Sequence, residues 1–362
     1  MGRDVVVASD SHVSPYRELF RQGATLVPRM LVTIEEVDDG PIGVTAGRTR
    51  IRSARSANEK PPWKGLSSLD GVVERQFVRP MHVGATILAY RACKPHVAIV
   101  PEVAGELLDG SSERLDEFPG LAAYWRMAEQ VWDEKKKKRN LLTLRGRVDY
   151  HGELTKQFPI AKHRVLYTKS GQHLAACRIE DQEAVIDHKL YWATVSGEEE
   201  ARYLCAVLNS QVLADAVVGL QARGQHNPRD FDMHVFALGF PIFDSGDGSH
   251  RELAQFAARA EKTASEVDVD PAWQFQKARR IIREALREDG VGTLIDAAVA
   301  DLLSTPTALP SREELVATAP DLMGALSETQ KKTKGKSRKK RPRPTPTKRP
   351  TRSSSNPRRS AR

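Results

Sequence analysis

The chain has 362 residues, 40% of them hydrophobic, enough to build two domains around a real core. Its net charge of +9 is unevenly placed: residues 331–362 hold fifteen Lys and Arg and no acid, leaving 41 basic against 47 acidic residues elsewhere, a net −6. A body of that sign excludes attraction of nucleic acid through net charge alone and demands local patches, while three widely spaced cysteines, Cys93, Cys177 and Cys205, exclude a disulfide framework or a Cys-x-x-Cys zinc site.

MGRDVVVASDSH lacks the apolar centre of a signal peptide, and no run approaches the roughly twenty apolar residues of a membrane span, so a cytoplasmic, nucleoid-associated protein is expected. From residue 16 to about 118, short apolar runs such as LVPRMLVTIEEV, ATILAYRA and HVAIVPEV alternate with Gly and Pro and predict strands and turns. At Pro119 the period changes. In PGLAAYWRMAEQVWDEKKKKR, Leu121, Tyr124, Trp125, Ala128, Val131 and Trp132 fall on one helical stripe, and the cations at residues 135–139 sit at its C-terminal end, where they complement the helix dipole as a solvated end or contact DNA.

HRVLYTKSGQHLAACRI predicts a hairpin about a Ser-Gly turn, and KLYWATV a further strand. Ser196 followed by Glu199 has the spacing of a capping box, opening a helix whose buried face carries Ala201, Leu204, Val207 and Leu208. QVLADAVVGL predicts a second helix ending near Gly224. HRELAQFAARAEKTA, WQFQKARRIIREAL and VGTLIDAAVADLL predict three more, with Arg279, Arg283 and Arg287 on one stripe, read as a solvated face because Glu284 and Glu288 lie among them. The expected fold is α+β: a recognition domain over 1–245, a helical segment over 246–303, and a disordered Lys/Arg/Pro/Ser-rich tail over 304–362.

KPPW, residues 60–63, shares three of four letters with the Asn/Asp/Ser-Pro-Pro-aromatic tetrapeptide of enzymes that methylate the exocyclic amine of adenine. The first residue of that motif must accept a hydrogen bond from the target amine, and a Lys ammonium has donors only. Lys60 cannot do that chemistry. The Gly pair nearest in form to a methionine-binding turn, Gly290 and Gly292, falls between two predicted helices. KPPW therefore reads as a structural turn with a packed Trp63.

Five segments in order, RELFRQGATLVPRMLVTIEE, KPPWKGLSSLDGVVERQFVRP, GLAAYWRMAEQVW, KLYWATVSGEEEARYLCAVLNS and ARGQHNPRDFDMHVFALGFPIFD, resemble the C-terminal half of adenine-N6 DNA methylases. The likeness is to single-chain type II restriction–modification enzymes, in which a target-recognition domain follows the methylase, and it covers about residues 16–303. In that family the cofactor motif and the catalytic tetrapeptide precede these segments. The resemblance implies a module that reads double-stranded DNA and is not catalytic alone, with S-adenosylmethionine bound by a methylase subunit on a separate chain and no cofactor or metal on this one.

Reading DNA takes phosphate contacts for position and bidentate side chains for base edges. AGRTRIRSAR puts Arg48, Arg50 and Arg52 at period two, with Arg55 nearby, as a cationic face that follows phosphates or as a charged edge strand. ARGQHNPRDF offers Arg223, Gln225, His226, Asn227 and Arg229 for base edges, or is a connecting loop; Arg229 matches an Arg of the family segment. Arg29, Arg75 and Arg79 also match family positions and read as DNA contacts or salt-bridge partners. Asp187-His188-Lys189, with Asp181 upstream, is half of a metal-dependent nuclease signature and supplies the alternative function; a non-functional remnant of a split methylase gene is the third. Residues 331–362, without aromatic or apolar side chains for stacking or folding, can hold polyanions only as a flexible string of charge.

Overall fold

The computed structural model describes residues 13–38, 43–56, 58–171, 173–218 and 230–304, and over these the protein is α+β. The alternating runs before residue 118 form β1 (Arg21–Gln22), β2 (Thr33–Glu36), β3 (Arg48–Ser53), β4 (Asp70–Glu74), β5 (Val78–His82), β6 (Ile87–Leu88), β7 (Arg91–Ala92), β8 (His96–Ile99), β9 (Glu102–Val103) and β10 (Glu106–Leu107), with a single helical turn, α1 (Arg29–Val32), among them. The change of period at Pro119 opens α2 (Pro119–Lys135), followed by the short α3 (Leu144–Val148). Then come β11 (Arg164–Thr168), β12 (Ala176–Ile179), β13 (Val185–Ile186) and β14 (Leu190–Thr194), and the helices α4 (Glu198–Asn209), α5 (Gln211–Val217), α6 (Gly248–Glu266), α7 (Phe275–Asp289) and α8 (Val291–Ser304).

The two larger sheets organise the two main cores. The larger has the order β13-β5-β8-β2-β3-β4, antiparallel except for the β13–β5 pair. In β3 the strand period of two buries Thr49, Ile51 and Ser53 and turns Arg48, Arg50 and Arg52 to the other face. The helical stripe Leu121, Tyr124, Trp125, Ala128 and Trp132 of α2 packs into the same core as Ile51, Val73, Phe77 and Met81. Gly71 lets helix and sheet approach, because a Cβ there would stand 3.2 Å from Cδ2 of Tyr124.

The second sheet, β1-β14-β11-β12, is antiparallel and carries α4, α6, α7 and α8 in one continuous core with Tyr16, Phe20, Phe231 and Phe236. Residues far apart in the chain close it. Tyr16 donates its hydroxyl hydrogen to Glu200 Oε1 at 2.9 Å and accepts from the Phe243 amide at 3.0 Å. The other Glu200 oxygen accepts from the amide and hydroxyl of Ser196. The capping partner of Ser196 is thus Glu200 and not Glu199, because Gly197 occupies the cap position of α4 and shifts the reach by one residue.

The predicted hairpin forms from β11 and β12, with a connection over residues 169–175 rather than a two-residue turn. Gly290, at φ +84°, ends α7 and turns into α8. The expected end of the α5 segment near Gly224 lies outside the described residues, as do residues 305–362.

In the Arg stripe of α7, Arg287 is exposed as expected, but Arg279 and Arg283 depart from a solvated face. Arg279 is 5% exposed and donates to the carbonyl oxygens of Ile87 and Gly84, while Arg283 donates to that of Leu174. These three carbonyls lie between the second sheet and the helices, and the guanidinium forks satisfy them; Arg280 and Glu284 form the solvated pair instead. Arg279→Met should therefore cost about 1–3 kcal/mol for each stranded carbonyl, and Arg280→Met less than about 0.5 kcal/mol, read as urea midpoints at constant slope.

His82 is buried, with Nδ1 3.2 Å from Thr86 Oγ1. Burial, and then the Arg164 guanidinium, push its pKa down to about 4 from the ordinary 6.5. Because the folded value is the lower, the unfolded chain takes up the proton first. The contribution of His82 to stability is whole above pH 6.5 and is lost as pH falls toward about 4, up to about 3 kcal/mol. Urea unfolding of His82→Gln at neutral pH and near the lower pKa should lack that part of the slope.

Candidate nucleic-acid interface

The site begins with how α2 is aimed. No side chain within the helix caps its start; instead Glu74, on the edge strand β4, accepts from the amides of Gly120 at 3.1 Å and Leu121 at 2.8 Å. Burial alone would raise the Glu74 pKa, but the Leu121 and Gly120 amides and the Arg48 guanidinium hold it below the ordinary carboxylate value. A carboxylate at a helix N-terminus complements the dipole and satisfies free amides. The other end of α2 carries Trp132 and the cations that follow it.

Trp132 meets KPPW there. Trp63 stacks on it with ring centroids 5.7 Å apart and planes 7° from parallel. Arg55 clamps the turn from beneath, donating to Glu59 Oε2 at 2.6 Å and to the carbonyls of Leu66, Trp63 and Lys64. Trp63 is half-buried and Lys60, Pro61 and Pro62 are exposed, so the stretch is a packed turn, as its chemistry requires.

Between this turn and the end of α2 lies a groove of about 660 Å³. Six of its lining side chains are cationic, Arg29, Lys60, Lys135, Lys136, Lys137 and Arg147, and one, Glu59, is acidic and already held by Arg55. Lys136 reaches Asp133 at 2.7 Å and the Leu142 carbonyl at 3.0 Å, and Arg29 reaches Asp187 at 3.2 Å. Among the described residues no carboxylate lies within ion-pair distance of Lys60, Lys137 or Arg147. The groove joins three separate stretches, within residues 27–30, 56–63 and 132–147, and nothing in the spacing of any one announces the others.

Of the arginines singled out by sequence, Arg29 lines the groove, whereas Arg48, Arg50, Arg52, Arg75 and Arg79 do not. Arg48, Arg50 and Arg52 do share one face, but β3 is interior to the sheet and β4 is its edge, so they guard no edge. Arg48 pairs with Glu74 at 2.9 Å and Arg52 with Asp70 at 2.8 Å, both across the β3–β4 ladder; Arg50 is exposed. Arg75 pairs with Glu36 at 3.1 Å and Arg79 with Glu102 at 3.3 Å, the latter half-buried near the Phe158 ring. The exposed pairs of Arg52 and Arg75 hold their partners weakly and leave a guanidinium able to exchange a carboxylate for a phosphate. Arg223, Gln225, His226, Asn227 and Arg229 lie outside the described residues.

Asp187 is already engaged by its neighbours. It is fully buried and accepts from Arg29, from His188 Nδ1 at 3.0 Å and from the Lys189 amide at 3.1 Å, in the turn before β14. Among the described residues no three His, Cys, Asp or Glu side chains come together as a metal site, and no helix is long and apolar enough to cross a membrane.

No family model and no curated protein sequence matches the chain. Among solved structures it is similar to the Type IIL restriction-modification enzyme MmeI in complex with DNA, at 11% identity and a TM-score of 0.44, covering 71% of this chain and 31% of that one. It is also similar to the type IIG restriction endonuclease BpuSI, at 12% identity and a TM-score of 0.36, covering 76% of this chain and 31% of that one. The chain spans less than a third of the length of either.

Removing the Trp63 ring should destabilise the fold by about 2–3 kcal/mol, below the about 3–5 kcal/mol of a fully buried aromatic, because part of it already meets water. Lys60→Ala should stay within about 0.5 kcal/mol of the parent. Urea denaturation of the two variants checks the ordering.

Proposed function

We propose that this chain is a sequence-specific double-stranded DNA recognition module of an adenine-N6 methylation or restriction system, working with a methylase chain that binds S-adenosylmethionine and performs the transfer. The observation that carries the reading is the groove between KPPW and α2. A body of net −6 needs a local patch to hold a polyanion, and here Lys60, Lys137 and Arg147 stand together with no neutralising carboxylate. The five ordered segments that resemble the recognition half of adenine methylases support the same reading. KPPW takes part as the wall of a phosphate-binding groove and not as a catalytic loop.

On this reading the groove and Arg50 position the duplex, residues 331–362 add affinity without preference, and Arg223, Gln225, Asn227 and Arg229 read base edges. Binding to a random-sequence duplex library at two salt concentrations separates these roles. The triple variant Lys60→Ala, Lys137→Ala, Arg147→Ala should weaken binding to all sequences alike and flatten the salt slope by about 0.9 for each phosphate no longer neutralised. Gln225→Ala with Arg229→Ala should keep the slope and cost about 1–3 kcal/mol per bidentate base pairing on the preferred site only. A triple variant with unaltered affinity and slope overturns the assignment.

A further inference from the structure

Leu141 is 90% exposed, while every other large exposed hydrophobic among the described residues is covered by half or more. Its outward position is built, because the backbone on either side is pinned. The Asn140 amide donates to the Lys137 carbonyl at 2.7 Å, and Asn140 Oδ1 accepts from the Leu142 amide at 3.1 Å. The Leu142 carbonyl accepts from Trp132 Nε1 at 2.9 Å and from Lys136 Nζ at 3.0 Å. Thr143 then caps α3 through the Gly146 amide. Of two adjacent leucines the loop half-buries Leu142 and holds Leu141 out, closely following five consecutive cations at residues 135–139 and beside Asn140, which lines the groove.

An apolar side chain held out two residues beyond a basic run, next to a groove-lining residue, fits a partner that offers anionic rails with an apolar slot between them. Duplex DNA is such a partner: phosphates line the groove edges, and a base step opens to an apolar wedge of one residue. A bilayer also combines anionic headgroups with an apolar interior, but one leucine buries too little surface to hold a protein there. Resting on the DNA-recognition reading above, we propose that Leu141 is a wedge that enters a base step and bends the duplex while Lys137, Lys60 and Arg147 hold the flanking phosphates.

The experiment uses the full chain and a short duplex recovered from the random library, with 2-aminopurine placed at each step in turn and a fluorophore pair at its ends. The parent protein should raise 2-aminopurine fluorescence at one step and shorten the end-to-end distance. Leu141→Ser, at a position so exposed that the fold is spared, should lose both signals while affinity falls only a few-fold and the salt slope follows the parent. Leu141→Phe should keep them. Binding without distortion by the parent, or distortion that survives Leu141→Ser, overturns the wedge and leaves DNA recognition standing. Failure to bind any duplex, with capture instead by phosphatidylserine vesicles that Leu141→Ser abolishes, overturns both.

Discussion

A single carboxylate sets the geometry on which the rest depends. Glu74 ends the edge strand of the larger sheet, pairs with Arg48 on the strand beside it, and receives the first free amides of α2. Edge strands expose unpaired backbone and invite association, and here the helix start closes over that edge. Gly120 makes the approach possible, since a Cβ there would meet the Val72 carbonyl. With its beginning fixed at β4 and its apolar stripe fixed in the core, α2 has one place to end, and that end delivers Trp132 and its cations to the KPPW turn.

The arrangement explains why the two basic features of the body differ in kind. Across the β3–β4 ladder Arg48 and Arg52 each face an acid, so this part of the sheet is laced by ion pairs that keep the strands in register. In the groove the acids are withdrawn: Glu59 is turned beneath the turn to Arg55, and Asp187 is buried against Arg29. What remains uncompensated there is the charge of Lys60, Lys137 and Arg147, between aromatic and proline walls.

Local patterns are legible in the sequence and long-range partnerships are not. The stripe of α2, the alternation of β3, the hairpin of β11 and β12 and the last three helices follow from periodicity and are found where it puts them. The cap of α2 is invisible because its carboxylate lies more than forty residues upstream. Arg279 and Arg283 read as solvated because the carbonyls they satisfy belong to Gly84, Ile87 and Leu174, more than a hundred residues upstream, which no helical pattern reveals. The groove escapes for the same reason: KPPW invites comparison with a catalytic motif and the cations at residues 135–139 with a helix dipole, each alone. The adjacent leucines that end the basic run KKKKRNLL are the one local signal of an apolar group held out beyond cations.

The closure of the second core by Tyr16, Glu200 and Phe243 has a consequence for exchanging such modules between proteins. The segment holding Tyr16, Phe20 and β1 belongs to the sheet built from β11, β12 and β14, although the whole of the larger sheet's β2 to β8 is inserted between them in the chain. A recombination crossover anywhere in residues 37–163 would pair the front of one parent's second core with the back of another's. Viable chimaeras therefore need two crossovers, one before β2 and one after α3, so that β2 to β8 travel with α2 and the Tyr16–Glu200 contact stays within one lineage, while β5 must still match β13, which stays with the second core.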